Sequence, residues 1–114
     1  MNTDRELVRG TLDTLLLETI SRGPMYGYQI CKTVNAETDG YFHLREGSLY
    51  PALHKLETEG LLKAFWEQAD TGRRRKYYQI TERGKTTLAR KRQEWQAFAA
   101  AVERVLASRA APAF

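Results

Sequence analysis

The residue that most restricts how this chain folds is Pro51, in the run Gly47-Ser48-Leu49-Tyr50-Pro51-Ala52-Leu53. Proline has no amide hydrogen and its ring fixes φ, so an α-helix accepts it only in the first turn. Leu49, Leu53 and Leu56 nevertheless recur at helical spacing, which predicts a helix that starts near Gly47. Gly60 supplies the stop, because glycine enters the left-handed cap conformation without steric penalty. The outcome is a short, sharply started helix of about a dozen residues. One side is apolar, and the other carries Ser48, Tyr50, His54 and Lys55.

Upstream, Val8, Leu12, Leu15, Leu16 and Ile20 mark a first helix from about Glu6 to Ser21, stopped by Arg22-Gly23-Pro24. A second helix is expected from about Tyr26 to Glu37, with Tyr26, Ile30 and Val34 on its buried stripe and Gly27 admitting a close neighbour. Cys31 lies beside that stripe, with no adjacent base or cation to activate it, and reads as a buried structural thiol. Asp39-Gly40 ends this helix, and Tyr41 to Leu44 is extended. Beyond Gly60, Leu61 to Gln68 and Arg74 to Ile80 are rich in aromatic and aliphatic residues and flank the turn formers Asp70-Thr71-Gly72, the pattern of a β-hairpin. Thr81 then caps a long last helix, about Glu82 to Ala107, on which Leu88, Trp95, Phe98, Val102 and Val105 recur at sevens, threes and fours. Ala110 to Phe114 is expected to fray.

At 114 residues the chain has room for one domain with a single core, and 42% apolar residues are too many for a disordered tail. Apolar runs such as Leu15 to Leu17 are far below the roughly 20 residues that cross a bilayer. Met1 to Gly10 lacks the apolar core of a secretory signal, so the expected setting is the cytoplasm, without a membrane. One cysteine and two scattered histidines, His43 and His54, offer neither a disulfide nor a metal-ligand cluster, and no cofactor is expected. No nucleophile with its base, carboxylate pair or phosphate-cradling glycine loop is legible, which argues against an enzyme.

Charge is distributed unevenly. Arg73 to Arg92 carries nine Lys/Arg and one acid, Glu82, a segment charge of +8 within a net +4, so the remainder is −4. Such polarity suits a polyanionic partner, although exposed elements also carry charge for solubility alone. Helix, helix, short helix, hairpin is the order of a winged helix-turn-helix, in which the third helix enters the major groove of double-stranded DNA and the hairpin, or wing, touches the backbone or minor groove. The fold class expected is therefore mainly α with a small β-hairpin: a winged helix-turn-helix over residues 1–81, a dimerisation helix over 82–109 and a tail over 110–114. The densest charge falls on the wing, where Arg73, Arg74 and Lys76 are assigned to phosphates. Leu88, Trp95, Phe98, Val102 and Val105 leave an apolar stripe that invites a homodimer, although part of it must fold back on the first helix of the same chain, and paired third helices would read a palindrome. A winged helix used only for protein contact is the alternative. RNA ranks lower, since the strands offer no aromatic platform at sheet spacing for unpaired bases.

Gly23-Pro24-Met25-Tyr26-Gly27-Tyr28-Gln29-Ile30, Gly47-Ser48-Leu49-Tyr50-Pro51-Ala52-Leu53, Leu56-Glu57-Thr58-Glu59-Gly60-Leu61 and Gly72-Arg73-Arg74-Arg75-Lys76-Tyr77-Tyr78-Gln79-Ile80-Thr81 together resemble the PadR family of transcriptional regulators. The match runs from about Leu12 to Val105, and the short last helix resembles the subgroup in which one helix completes the dimer. The resemblance implies a dimeric regulator, most often a repressor, that leaves its operator when an effector binds or conditions change. Residues matching Ser48, Tyr50 and Lys55 meet DNA in the family, with His54 between them, and Tyr28 matches a residue near the DNA backbone. Tyr50 either touches DNA or packs on the second helix, or does both. Trp95, with Phe98, either fills a dry interface between two copies or lines a slot for a small aromatic or phenolic effector.

Overall fold

The apolar stripes of the first three helices close on one shared core with the sheet and the start of the last helix. The computed structural model describes residues 2–108, with side-chain surroundings from Gly10 onward. The elements are α1 (Asn2–Ser21), β1 (Met25–Tyr26), α2 (Gly27–Glu37), α3 (Glu46–Thr58), β2 (Leu62–Gln68), β3 (Arg74–Ile80) and α4 (Glu82–Ala107). Leu16, Leu17 and Ile20 of α1, Ile30 of α2 and Leu49, Leu53 and Leu56 of α3 are fully buried together. Each contributes about 1.5–3 kcal/mol relative to remaining in water. Cys31 is buried beside them, and burial, reinforced by Glu46, pushes its thiol pKa up, as suits an inert packing residue. Val8 of the expected first stripe lies outside the described side chains, and Ala110 to Phe114 lies outside the described residues.

The sheet has three antiparallel strands in the order β1-β3-β2. Strand β1 corrects the expectation that Tyr26 begins the second helix: Met25 pairs with Tyr78 and Tyr26 with Tyr77, and the helix starts one residue later. The third strand also aligns Tyr26, Tyr77 and Phe65, which contact one another at ring-centroid distances of 5.4 and 5.6 Å. An aromatic row at sheet spacing is thus present after all, partly buried, and it escaped the sequence because β1 did.

Pro51 is the second correction. Helix α3 begins at Glu46 with Arg45 as its N-cap, so the proline is its sixth residue, inside the second turn. The amide it lacks would have bonded the Gly47 carbonyl. Gly47 is exposed, which leaves its carbonyl open to solvation in place of the missing bond. The far end matches expectation closely: Gly60 has φ +79°, its N–H donates to Glu57 O at 3.0 Å and the Leu61 N–H donates to Leu56 O at 2.9 Å, a Schellman cap.

Two side chains fix where α3 and the wing sit. Asn35 of α2 clamps the preceding loop, donating from Nδ2 to Leu44 O at 3.0 Å and accepting from Leu44 N at 2.7 Å. Thr81 donates from Oγ1 to Gly60 O at 2.7 Å, accepts from Gly84 N at 3.0 Å, and gives its own N–H to Leu61 O at 3.0 Å. The end of α3, the root of β2 and the start of α4 therefore meet at one residue. Gly84 packs so closely on the Leu61 carbonyl and on Ile80 that a Cβ there has no room.

This joint also explains a correction on α4. Leu88, expected at an interface between copies, is buried in the chain's own core, because the first turns of α4 are drawn onto α1 and β3. Further along, α4 leaves the body, and the molecule extends 70 Å by 28 Å by 27 Å. Trp95, Phe98, Val102 and Val105 are exposed there, joined by Leu106.

Candidate nucleic-acid interface

Along α3 successive side chains turn by about 100°, so Ser48 and Lys55 share one flank of its exposed face while Tyr50 and His54 share the other, roughly 100–160° away. The single polar face expected from sequence is therefore two faces. The Tyr50/His54 flank looks toward the wing, and between them lies a groove of about 760 Å³. Glu46, Tyr50 and His54 line it from α3, Tyr28 from α2, and Trp66, Arg73, Arg74, Arg75 and Lys76 from the hairpin.

Of the residues expected at DNA, Tyr28, Tyr50, His54, Arg73, Arg74 and Lys76 thus converge on one groove. Ser48 is exposed on the neighbouring flank, in the first turn of α3. Lys55 does not line this groove: its Nζ lies 2.7 Å from Asp13 Oδ2 on α1 and 3.8 Å from Glu59. The Asp13 side chain is only 7% exposed, so this cation serves the α1–α3 packing.

Tyr50 combines the two roles weighed for it. Its ring lies against Gly27, where only a glycine leaves space, yet 42% of the residue remains exposed and it lines the groove. Its hydroxyl donates to Glu46 Oε1 at 2.9 Å. Burial first, and then this bond to a carboxylate, push the phenol pKa up to about 12, so Tyr50 stays a neutral hydrogen-bond donor near pH 7.

The wing's cations are held apart by aromatic rings. Arg74 lies over Trp66, its guanidinium carbon 5.3 Å from the ring centroid. Arg75 lies 4.4 Å over the Tyr26 ring and donates from Nη1 to the Tyr26 hydroxyl at 3.0 Å. Lys76 lies 5.5 Å over Tyr78, with Glu57 3.8 Å away on α3. Arg73 is exposed at the tip, where Ala69 N donates to Arg73 O at 2.7 Å and Gly72 takes φ +85°. Four cations in one groove beside a hydroxyl, an imidazole and a helix start make a surface for a polyanion, with the rings limiting how far each guanidinium must be ordered on binding.

Sequence reading missed Arg75, Trp66, Tyr26 and Glu46 as groove residues. Arg75 alternates away from Arg74 and Lys76 along β3 and reaches the groove only through Tyr26 on the unforeseen β1. Trp66 was in principle legible, since a hairpin of this length with the Asp70-Thr71-Gly72 turn pairs it with Lys76. Among the described residues no cluster of metal-ligating side chains occurs, and no helix is long and apolar enough to cross a membrane.

Helix-turn-helix geometry with a basic wing facing the third helix defines this chain as a winged-helix protein. The sequence profile of the PadR-like family of transcriptional regulators matches residues 16–90, and the chain belongs to that family. A transcriptional regulator from Clostridium thermocellum is similar, with a TM-score of 0.78 and 32% identity, over 87% of this chain and 93% of that one. A PadR-like transcriptional regulator from Bacillus cereus has a TM-score of 0.78 and 30% identity, covering 89% and 96% of the two chains. An uncharacterized protein from Lysinibacillus sphaericus is 33% identical over 90 residues, 79% of this chain and 83% of its own length. The family is one of DNA-binding transcriptional regulators rather than enzymes.

Proposed function

We propose that this chain is a homodimeric, sequence-specific DNA-binding repressor that acts in the cytoplasm on a palindromic operator. The observation that carries this reading is the single groove shared by α3 and four wing cations. Helix α3 enters the major groove, with Tyr50, His54 and Ser48 toward base edges or nearby phosphates, and Arg73, Arg74, Arg75 and Lys76 hold the flanking backbone. Dimerisation is supported by the exposed apolar run Trp95, Phe98, Val102, Val105 and Leu106, which continues past the point where α4 leaves the core. Two copies place two α3 helices about 34 Å apart, one turn of the duplex.

Release by a small aromatic or phenolic effector is supported by an apolar pocket of about 470 Å³ between α1 and α4, where Trp95 and Phe98 stand 5.7 Å apart with Phe42 and Leu15 alongside. Selection of bound duplexes from a random pool, with analytical ultracentrifugation at micromolar concentration, tests the reading. A palindromic consensus and a dimer mass are expected. Binding without sequence preference at about 0.15 M salt would refute it and leave a protein-contact module. Tryptophan quenching by flat phenolic acids, absent in Trp95→Phe, tests the effector.

A further inference from the structure

Glu46 is an acid placed where a DNA-binding groove should have none. It opens α3, is exposed, and lines the same groove as Arg73, Arg74, Arg75 and Lys76. Among the described residues no ion pair joins Glu46 to these cations: Arg74 lies over Trp66, Arg75 bonds Tyr26, Lys76 stands near Glu57, and Arg73 is exposed at the wing tip. Instead the Tyr50 hydroxyl donates to Oε1 at 2.9 Å, which orients the carboxylate and leaves its remaining lone pairs open to the groove. A carboxylate next to a phosphate is repelled by it, so a polyanion lying in this groove must present a donor to Glu46. The major-groove edge has two donors, the N4 amino group of cytosine and the N6 amino group of adenine. Adenine sets its N7 acceptor beside N6, which also repels a carboxylate. Cytosine has no acceptor on that edge.

We infer that Glu46 is a specificity-determining residue that reads a cytosine in each half-site through its N4 amino group, with Tyr50 as the positioning residue that aims it. This rests on the reading above that α3 meets the major groove. A second consequence is that Glu46 lowers affinity for duplexes with another base at that position, because its charge then meets an acceptor there, N7 or O6 of guanine, N7 of adenine or O4 of thymine.

The test is duplex selection from a random pool by the wild-type protein, Glu46→Gln and Glu46→Ala, followed by gel shifts on the selected operator and on its single-position variants. Wild type is expected to prefer cytosine at one position per half-site by about tenfold. Glu46→Gln is expected to move that preference to adenine, whose N6 and N7 match an amide, and Glu46→Ala to abolish it while binding unrelated DNA more tightly. Tyr50→Phe should keep cytosine but weaken the preference. A purely structural role for Glu46 at the start of α3 would change melting temperature without changing the preferred base. A wild-type consensus that both Glu46 variants leave unaltered overturns the inference alone. A wild-type protein that selects no sequence overturns both it and the proposed function.

Discussion

Replacing Gly27 by alanine should separate the stability of this fold from its ability to bind DNA. A Cβ at Gly27 would lie 2.8 Å from Tyr50 Cζ and 3.1 Å from Cε1, and closer still to the phenol oxygen. Such contacts force movement, but the obstructing atoms belong to a half-exposed side chain that can swing into the groove. Displacing the ring forfeits the exposed Tyr50–Glu46 hydrogen bond, about 1 kcal/mol, and roughly another 1 kcal/mol of ring burial. Alanine in place of glycine within a helix returns up to about 1 kcal/mol. The net change should stay near 1 kcal/mol, a shift of several degrees in Tm. Specific DNA binding should fall much more in relative terms, by about tenfold, because Tyr50 and Glu46 no longer hold their places in the groove. Thermal unfolding by circular dichroism and gel shifts on the selected operator measure the two effects on one sample. A loss of several kcal/mol would mean that Tyr50 is locked in place. Wild-type affinity alongside wild-type Tm would mean that the ring's position is irrelevant to DNA, and either result refutes the reasoning.

Other expected outcomes divide the two flanks of α3 and the wing. Lys55→Ala should cost about 1–2 kcal/mol of stability, after allowing for solvent screening of the half-exposed lysine, because it leaves the buried Asp13 carboxylate without this partner. Its DNA affinity should remain at the wild-type level, and a loss matching that of a wing variant would return Lys55 to the DNA face. Arg73→Ala should weaken binding to all duplexes alike and reduce the slope of log K against log salt by about one, and an unchanged slope would remove the tip from the interface. The Tyr50 phenol is held above its ordinary value near 10, so it favours folding at lower pH, and this contribution is lost as pH rises from about 10 through about 12. Denaturant midpoints should therefore fall faster across that window in wild type than in Tyr50→Phe.

How much of this was legible in the chain depends on whether local rules or three-dimensional neighbours decide. Leu49, Leu53 and Leu56, the Gly60 cap, the Asp70-Thr71-Gly72 turn and the Thr81 cap are set by residues within a few positions, and all lie where periodicity and turn chemistry put them. The start of α3 was read to within one residue, Glu46 against Gly47, which is enough to carry Pro51 from the first turn into the second. Strand β1 escaped because two residues carry no period, and their pairing depends on Tyr77 and Tyr78, some fifty positions on. At the site, residue types were readable but directions were not. Ser48, Tyr50, His54 and Lys55 are all polar and exposed by pattern, while the placement of α1 and the wing on opposite flanks decides which of them share a groove. Leu88 and Val105 fit the same heptad count, and only the packing of α4 onto the core separates them.

Thr81 ties the last turn of α3, the root of the wing and the first turn of α4 into one rigid corner. From that corner α4 runs 26 residues, about 39 Å, outward. A lever of that length converts a tilt of about 5° at the corner into roughly 3.4 Å at its tip, the rise of one base pair. In the proposed dimer, run in reverse, a change in how two such levers cross would retune the separation of the reading heads without disturbing either one internally.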